Sequence, residues 1–310
     1  MKILQQCLFF LLLSPLASFS LASTFWAACG EGISNGGETL VAYVRDDLPG
    51  EQTFAAINEE GTLPFKGIFV GKTHRFEAGL NERGLFVGQI SVASVSRNER
   101  LSLFPKRFKS PEGWFGGEWL TRHCSSVDEA LKQRQVLSGY PMIYVLADKT
   151  EIAFVECLPN GQFKIRRATS GVLSHTNHYV LPETTADNRE LPASSSARLV
   201  RIRSLLSEES KPYQLEQFLS MALDTQDGPD FSIYRVGSKP RSPKTTAVWL
   251  LKFPGQESPV SYLRLLNETS WETVRERFPA TEHSSPVSPL EPLSKKEPPA
   301  AIAPESSNQE

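Results

Sequence analysis

The chain is poor in several features, and each shortage excludes something. It has four cysteines in 310 residues. No pair of them has metal-type spacing, so neither a zinc ribbon nor a disulfide-dense scaffold is indicated. An excess of either charge is also missing. The 33 Lys and Arg against 35 Asp and Glu leave a formal net charge of -2. That balance gives no electrostatic footprint for nucleic acid and no polybasic attraction to an anionic membrane. There is no internal repeat, which argues against solenoids and propellers. Beyond the first residues, no apolar run suits a bilayer span.

What is present divides into three parts. Lys2 is followed by "CLFFLLLSPLASFSLA", an apolar run too short and interrupted for a good membrane anchor. It reads as a signal peptide over residues 1–22, with Ser20 and Ala22 in the −3 and −1 places of a small-residue cleavage site. Cleavage after Ala22 makes Ser23 the first residue of an exported protein, periplasmic or secreted. From residue 279 to residue 310, proline, serine and charge dominate and no apolar period survives. Such a segment cannot bury enough surface to offset its ordering entropy, so a disordered tail is expected. The whole chain is 40% hydrophobic, and residues 23–278 between these parts are long enough for one domain with a substantial core. Of the cysteines in this block, Cys29, Cys124 and Cys157, either two pair and one is spare or all three are buried thiols.

Periodicity gives a coarse element order. "TFWAA", "ETLVAYV", "HRFEAGL" and "GLFVGQISV" are β-rich runs bounded by turn residues. "SVDEALKQRQVLSG" opens with Ser126 and Glu129 at capping-box spacing and ends at Gly139, which predicts a helix. "PMIYVLAD", "EIAFVECL" and "QFKIRRA" follow as strands, "SSSARLVRIRSLLS" and "YQLEQFLSMAL" as helices, and "FSIYRV", "TTAVWLLKF" and "PVSYLRLLN" as strands. Strands and helices without regular alternation indicate a layered α+β fold.

Four short pieces carry groups suited to chemistry. "YVRDD" ends an early strand with Arg45, Asp46 and Asp47, and "NERG" forms a turn between strands. "LSHTNHY" sets Asn177 between His175 and His178, and "SSSARLVR" puts Arg198 near a helix start. The two histidines offer no third metal ligand. Each piece also has a plain structural reading, as a solvated turn, a hairpin or packing.

Taken in order, "STFWAACGEGISNGGETLVAYVRDD", "GLNERGLFVGQISVAS", "GVLSHTNHYV", "SSSARLVRI", "GPDFSIYRVGS" and "TTAVWLL" resemble the choloylglycine hydrolase and penicillin V acylase group. The likeness is to its secreted branch, grouped with acyl-CoA:6-aminopenicillanic acid acyltransferase. It runs over roughly residues 22–267 and implies an N-terminal nucleophile hydrolase with a four-layer αββα sandwich. It implies action on a small-molecule N-acyl amide, with no cofactor and no metal. In this class the first residue attacks an amide carbonyl, and its own α-amine, which titrates near 8, takes the proton. Carried over, Asp46 would orient nucleophile and amine. Asn177 would contribute to the oxyanion hole, Arg198 would support the nucleophile, and Ser91 would be a second oxyanion contributor.

The sequence departs from that pattern in two places. Tyr43 and Val44 stand where the family usually has polar residues, and Ala22 stands where it has its cysteine. Ser23 is the replacement nucleophile that leader removal would expose, displaced by one position and hence by one strand face. Two readings follow. One is an exported amide hydrolase that uses Ser23. The other is an inactive relative that binds an acyl amide or a protein partner. A surface protein with the tail as spacer is a weaker third. Phe104, Phe108, Trp114, Phe115 and Trp119 could line an apolar acyl pocket or simply pack the layers.

Overall fold

The computed structural model describes residues 22–267 and 270–278. The expected leader, apart from Ala22, and the expected tail lie outside the described residues. Five strands come first: β1 (Ala22–Cys29), β2 (Thr39–Asp47), β3 (Gln52–Ile57), β4 (Phe65–Val70) and β5 (Arg75–Asn81). They are followed by β6 (Phe86–Ser91), then α1 (Arg97–Leu103), α2 (Gly116–His123) and α3 (Val127–Leu131). The middle of the chain gives β7 (Met142–Ala147), β8 (Ile152–Cys157), β9 (Phe163–Ala168) and β10 (Gly171–His175). The last part gives α4 (Ala193–Glu208), α5 (Leu215–Ala222), β11 (Lys244–Phe253), β12 (Val260–Asn267) and β13 (Ser270–Arg277).

Two antiparallel sheets result. One has the order β10-β1-β2-β11-β12-β13, the other β3-β4-β5-β6-β7-β8-β9. Side chains alternate along each strand, so each sheet has two faces to cover. On β1 and β2, Phe25, Ala27, Val41 and Tyr43 meet Phe86, Ile90, Ile143 and Val145 of the other sheet. Trp26, Ala28, Ala42 and Val44 point the other way, onto Leu199 and Ile202 of α4 and Phe218 and Leu219 of α5. The outer face of the second sheet, with Val87, Tyr144 and Leu146, packs on Leu120 of α2 and on Val127 and Ala130 of α3. This is the αββα sandwich of N-terminal nucleophile hydrolases, as expected. Double burial explains why β1 and β2 read as near-continuous apolar runs rather than alternating ones.

Between the sheets the aromatic rings fix the spacing. Trp249 makes edge-on contacts with Phe86 (5.5 Å) and Phe54 (5.4 Å), geometries favoured by ring quadrupoles. Gly88 is needed here for a different reason. A Cβ on it would lie 2.8 Å from Val145 Cγ2 and 3.1 Å from Tyr43 Cε2.

Two local expectations are corrected. The helix expected from Ser126 to Gly139 stops at Leu131. Its cap forms as expected, with Glu129 N donating to Ser126 Oγ at 3.2 Å. The polar run Lys132–Arg134 then offers no apolar face, and Val136 and Leu137 reach the α2 core from turns. "FSIYRV" is not a strand. Residues 231–236 form a loop with Phe231 exposed, and Arg235 is tied to the start of β11 by exchanging hydrogen bonds with Thr245. The strands β3, β4 and β13 and the helices α1 and α2 are elements that periodicity did not pick out. Cys29, Cys124 and Cys157 are free and buried. Burial raises the thiol pKa of Cys29 to about 11 and of Cys124 to about 12, and pushes Cys157 higher still.

Gly88→Ala should cost about 1–3 kcal/mol of stability, the usual range for overpacking a close-packed core. Urea unfolding with an unchanged m-value is the check. A variant as stable as wild type would mean that the sheets can separate locally.

Candidate active site

The register of β1 against β2 decides which groups can meet. Ala22 pairs with Asp46, Ser23 with Arg45 and Thr24 with Val44. Directly opposed residues share a face and neighbours alternate. Ser23 therefore shares the inter-sheet face with Phe25, Tyr43 and Arg45. Ala22 and Thr24 share the helix-side face with Val44 and Asp46. On the other flank β1 pairs with β10, Phe25 opposite His175. Two residues further on, Asn177 comes level with Ser23.

Two of the expected residues, Asn177 and Arg198, converge on Ser23, and a third, Ser91, joins through Asn177. Its backbone N–H donates to Asn177 Oδ1 at 2.9 Å. Arg198, reaching in from α4, donates through Nη1 to the Ser23 carbonyl and to Thr24 Oγ1, both at 2.7 Å. Its Nη2 donates to Asn177 Oδ1 at 2.9 Å. Asn177 Nδ2 crosses to the second sheet and donates to the Ser91 carbonyl at 3.1 Å. The Tyr43 phenol lies beside the Ser23 hydroxyl and donates to the Gln89 carbonyl at 2.7 Å. Burial, with Glu77 beside it, pushes the Tyr43 pKa up, so it stays a phenol.

Asp46 lies on the other face. Its Oδ1 accepts from Thr245 Oγ1 at 2.9 Å, and its Oδ2 is 3.6 Å from Arg235 Nη1, an ion-pair separation beyond a hydrogen bond. Among the described residues, Oδ2 has no hydrogen-bond partner. Burial raises the Asp46 pKa, against the pull of Arg198 and Arg235. Burial also lowers that of Arg198 to about 10, opposed by Asp46. The carboxylate, Arg198 and Arg235 thus form one charge cluster under the helices, next to Ala22.

The histidines of "HTNHY" hold the loop that carries Asn177. His175 Nε2 contacts Glu156 Oε1 at 2.8 Å, and Glu156 also accepts from Val180 N at 2.6 Å and from Thr184 Oγ1. Ser195, at the start of α4, accepts from Asn177 N at 2.8 Å and contacts His178 Nδ1 at 2.8 Å. Burial, reinforced by His175, lowers the His178 pKa to about 4. Among the described residues no group of three or more His, Cys, Asp or Glu could hold a metal ion.

A cavity of about 490 Å³ opens beyond the end of β6, walled by Gln89, Ser91, Met142, Phe104, Phe115 and Tyr140 among others. Of the five aromatic candidates, Phe104 and Phe115 line it. Phe108 and Trp119 pack against each other at 5.8 Å in the outer layer, and Trp114 lies under Arg122 at 4.2 Å.

Sequence reading missed four members of this neighbourhood. Tyr43 was visible as a departure from the family pattern, but not as the partner of the Ser23 hydroxyl. Arg235 was hidden because its segment read as a strand. Glu156 and Ser195 carried no signal, since each matters only through long-range contacts.

Residues 68–259 match the family described as acyl-coenzyme A:6-aminopenicillanic acid acyl-transferase. The matched stretch includes Ser91, Asn177 and Arg198 and begins after Ser23 and Asp46. Among solved structures, the Caenorhabditis elegans ortholog of N-acylethanolamine-hydrolyzing acid amidase superposes with a TM-score of 0.53 at 14% identity, over 75% of this chain and 93% of that one. A variant of conjugated bile acid hydrolase from Clostridium perfringens covers 81% of this chain and 92% of its own, at 12% identity and a TM-score of 0.47. No curated protein matches the chain in sequence.

The folded state refuses a proton on His178 that the unfolded chain accepts. Its contribution to stability is therefore complete above about 6.5 and is lost as pH falls from there toward about 4. In melting temperatures measured across that window, His178→Gln should show a shallower decline than wild type. Parallel curves would mean that His178 is not buried in its neutral form.

Proposed function

Because the chain belongs to the acyl-coenzyme A:6-aminopenicillanic acid acyl-transferase family, we propose that it is an exported enzyme that cleaves or transfers the acyl group of linear amides, with Ser23 as N-terminal nucleophile. The observation that carries this reading is the hydrogen bond from the Ser23 backbone nitrogen to Asn177 Oδ1 at 2.9 Å. That nitrogen becomes the catalytic amine if the leader leaves after Ala22. The apolar N-terminal run and its small-residue end support such a leader. Loss of Ala22 also empties the place opposite Asp46, whose Oδ2 has no hydrogen-bond partner among the described residues. A new ammonium or amine beside it would be held by Asp46 on one side and Asn177 on the other.

The chemistry then proceeds from these groups. The Ser23 hydroxyl gives its proton to its own amine as its oxygen attacks the amide carbonyl. The carbonyl oxygen becomes an oxyanion, and Asn177 Nδ2, which now donates to the Ser91 carbonyl, is the donor placed to turn onto it. Collapse returns the proton to the departing amine and leaves an acyl ester on Ser23. Water, or a second amine, then attacks the ester through the same proton relay. Arg198 fixes the Ser23 carbonyl and the Asn177 side chain throughout. It is a positioning residue.

A second reading has its own observation. Ala22, not Ser23, shares a face with Asp46, and the Ser23 hydroxyl is turned to Tyr43 between the sheets. That arrangement suits an inactive relative whose pocket binds an acyl amide or a protein partner.

The two readings separate on one substitution. With a panel of N-acyl amides, Ser23→Ala should lower kcat by about 10³-fold or more, the scale for removing a nucleophile. Unchanged turnover in Ser23→Ala removes Ser23 from the mechanism. A wild-type protein that binds the amides and turns over none supports the inactive relative. Asn177→Ala should cost about 10²–10³-fold in kcat, the usual loss of one oxyanion donor.

A further inference from the structure

The cavity beyond β6 holds positive charge that its own walls leave uncompensated. Two carboxylates line it, and each is already engaged: Glu77 by Arg75 (2.7 Å) and Arg45 (3.6 Å), Glu118 by Arg122 (2.8 Å). Arg100 and Arg107 also line it and, among the described residues, are held only by neutral groups. Arg100 Nη1 donates to the Val92 carbonyl at 2.6 Å and to the Val95 carbonyl. Arg107 Nη2 donates to Gln89 Oε1 at 3.1 Å, while its guanidinium lies over the rings of Phe115 at 4.4 Å and Tyr140 at 5.5 Å. Arg107 Nε is buried with no hydrogen-bond partner among the described residues. Burial and the neighbouring Arg97 push the Arg100 pKa down, the reverse of what a carboxylate partner would do.

A half-buried guanidinium fixed by carbonyls and ring faces is oriented in advance for a planar anion. It gains more from an anionic ligand than from a neutral one, because its charge is desolvated without a counter-charge. Polar Thr73, His74, Gln89 and Ser91 share the rest of the wall with an apolar part. Leu101 and Phe104 stand at it half exposed (50% and 45%), and Phe76, Phe115 and Met142 complete it. The volume, about 490 Å³, suits a small molecule. The cavity also touches the nucleophile's surroundings. Ser91, whose carbonyl holds Asn177, and Gln89, whose carbonyl holds Tyr43, are both in its wall.

We propose that this cavity takes an amphiphilic substrate whose acyl chain carries an anionic group, and that Arg100 and Arg107 recognise that group. The proposal names the charge of the substrate and so rests on the amide-hydrolase reading, but its test is binding, which needs no turnover.

The experiment is isothermal titration of the whole protein at neutral pH with decanoate and, separately, with decanamide, its neutral counterpart. Wild type should bind decanoate about tenfold or more tightly than decanamide, the scale of one charge-assisted hydrogen bond. Arg107→Gln should reduce that preference to about twofold by weakening decanoate binding far more than decanamide binding. Arg100 also supports the 92–95 loop, so Arg100→Lys serves as its control and should keep most of the preference that Arg100→Gln loses. Equal binding of the two probes by wild type overturns the proposal. So does a preference that survives in both glutamine variants, or decanoate binding too weak to measure. Ser23→Ala should keep the preference, so a protein that prefers decanoate but hydrolyses no N-acyl amide sinks the serine mechanism alone.

Discussion

The carboxamide of Asn177 is the joint on which the site depends. Its oxygen takes the N–H of Ser23 and a nitrogen of Arg198, and its nitrogen reaches the Ser91 carbonyl on the facing sheet. One side chain thus ties the first strand, the helix behind it and the end of the second sheet. Such a joint works only if its own backbone is held, because an amide that swings by an ångström loses all three partners. Ser195 takes the Asn177 N–H, and Glu156 gathers His175, Val180 and Thr184 around the loop. The Glu156 carboxyl is buried among these polar partners, which is what makes its burial tolerable.

Strand alternation gives the site its unusual layout. Asp46, Arg198 and Arg235 gather on the helix side of β1, while Ser23, Tyr43 and Arg45 face the second sheet. In the unbroken chain, Ala22 holds the position beside the carboxylate. A strand interior would make the separation permanent. A chain end is different, because a terminal amine has lost the peptide bond that fixes its direction and can turn to a buried acceptor. Asp46 Oδ2 offers one. On this view the missing cysteine is not replaced in place. In the proposed mechanism the working residue is the next one, and Ala22 keeps its position until a leader is removed.

A layered α+β fold was legible because β1, β2, β11 and β12 are long, apolar and bounded by turn residues, and because α4 and α5 read as helices, while the αββα order came from the family likeness. Asn177 and Arg198 were legible through family likeness, and the structure brings both to Ser23. Residues 231–236 were misread because Ile233 and Tyr234 are buried as a strand's would be, although a loop puts them there. The helix after Ser126 was read too long because the capping signal marks a start and the sequence says little about where packing ends it. Tyr43 shows the deeper limit. Its residue type looked like lost polar support, and only the pairing of β1 with β2 shows its phenol beside the Ser23 hydroxyl. The partners of Arg100 and Arg107 are likewise a matter of packing, with no local pattern to reveal them.

The central claim is that the nitrogen now held by Asn177 is the one that leader removal sets free. Intact-mass spectrometry with N-terminal sequencing, on protein exported with its own leader, tests it most directly. The account predicts a mature chain that begins at Ser23. A chain that begins at Ala22 or further inside β1, or one that keeps the leader, contradicts it.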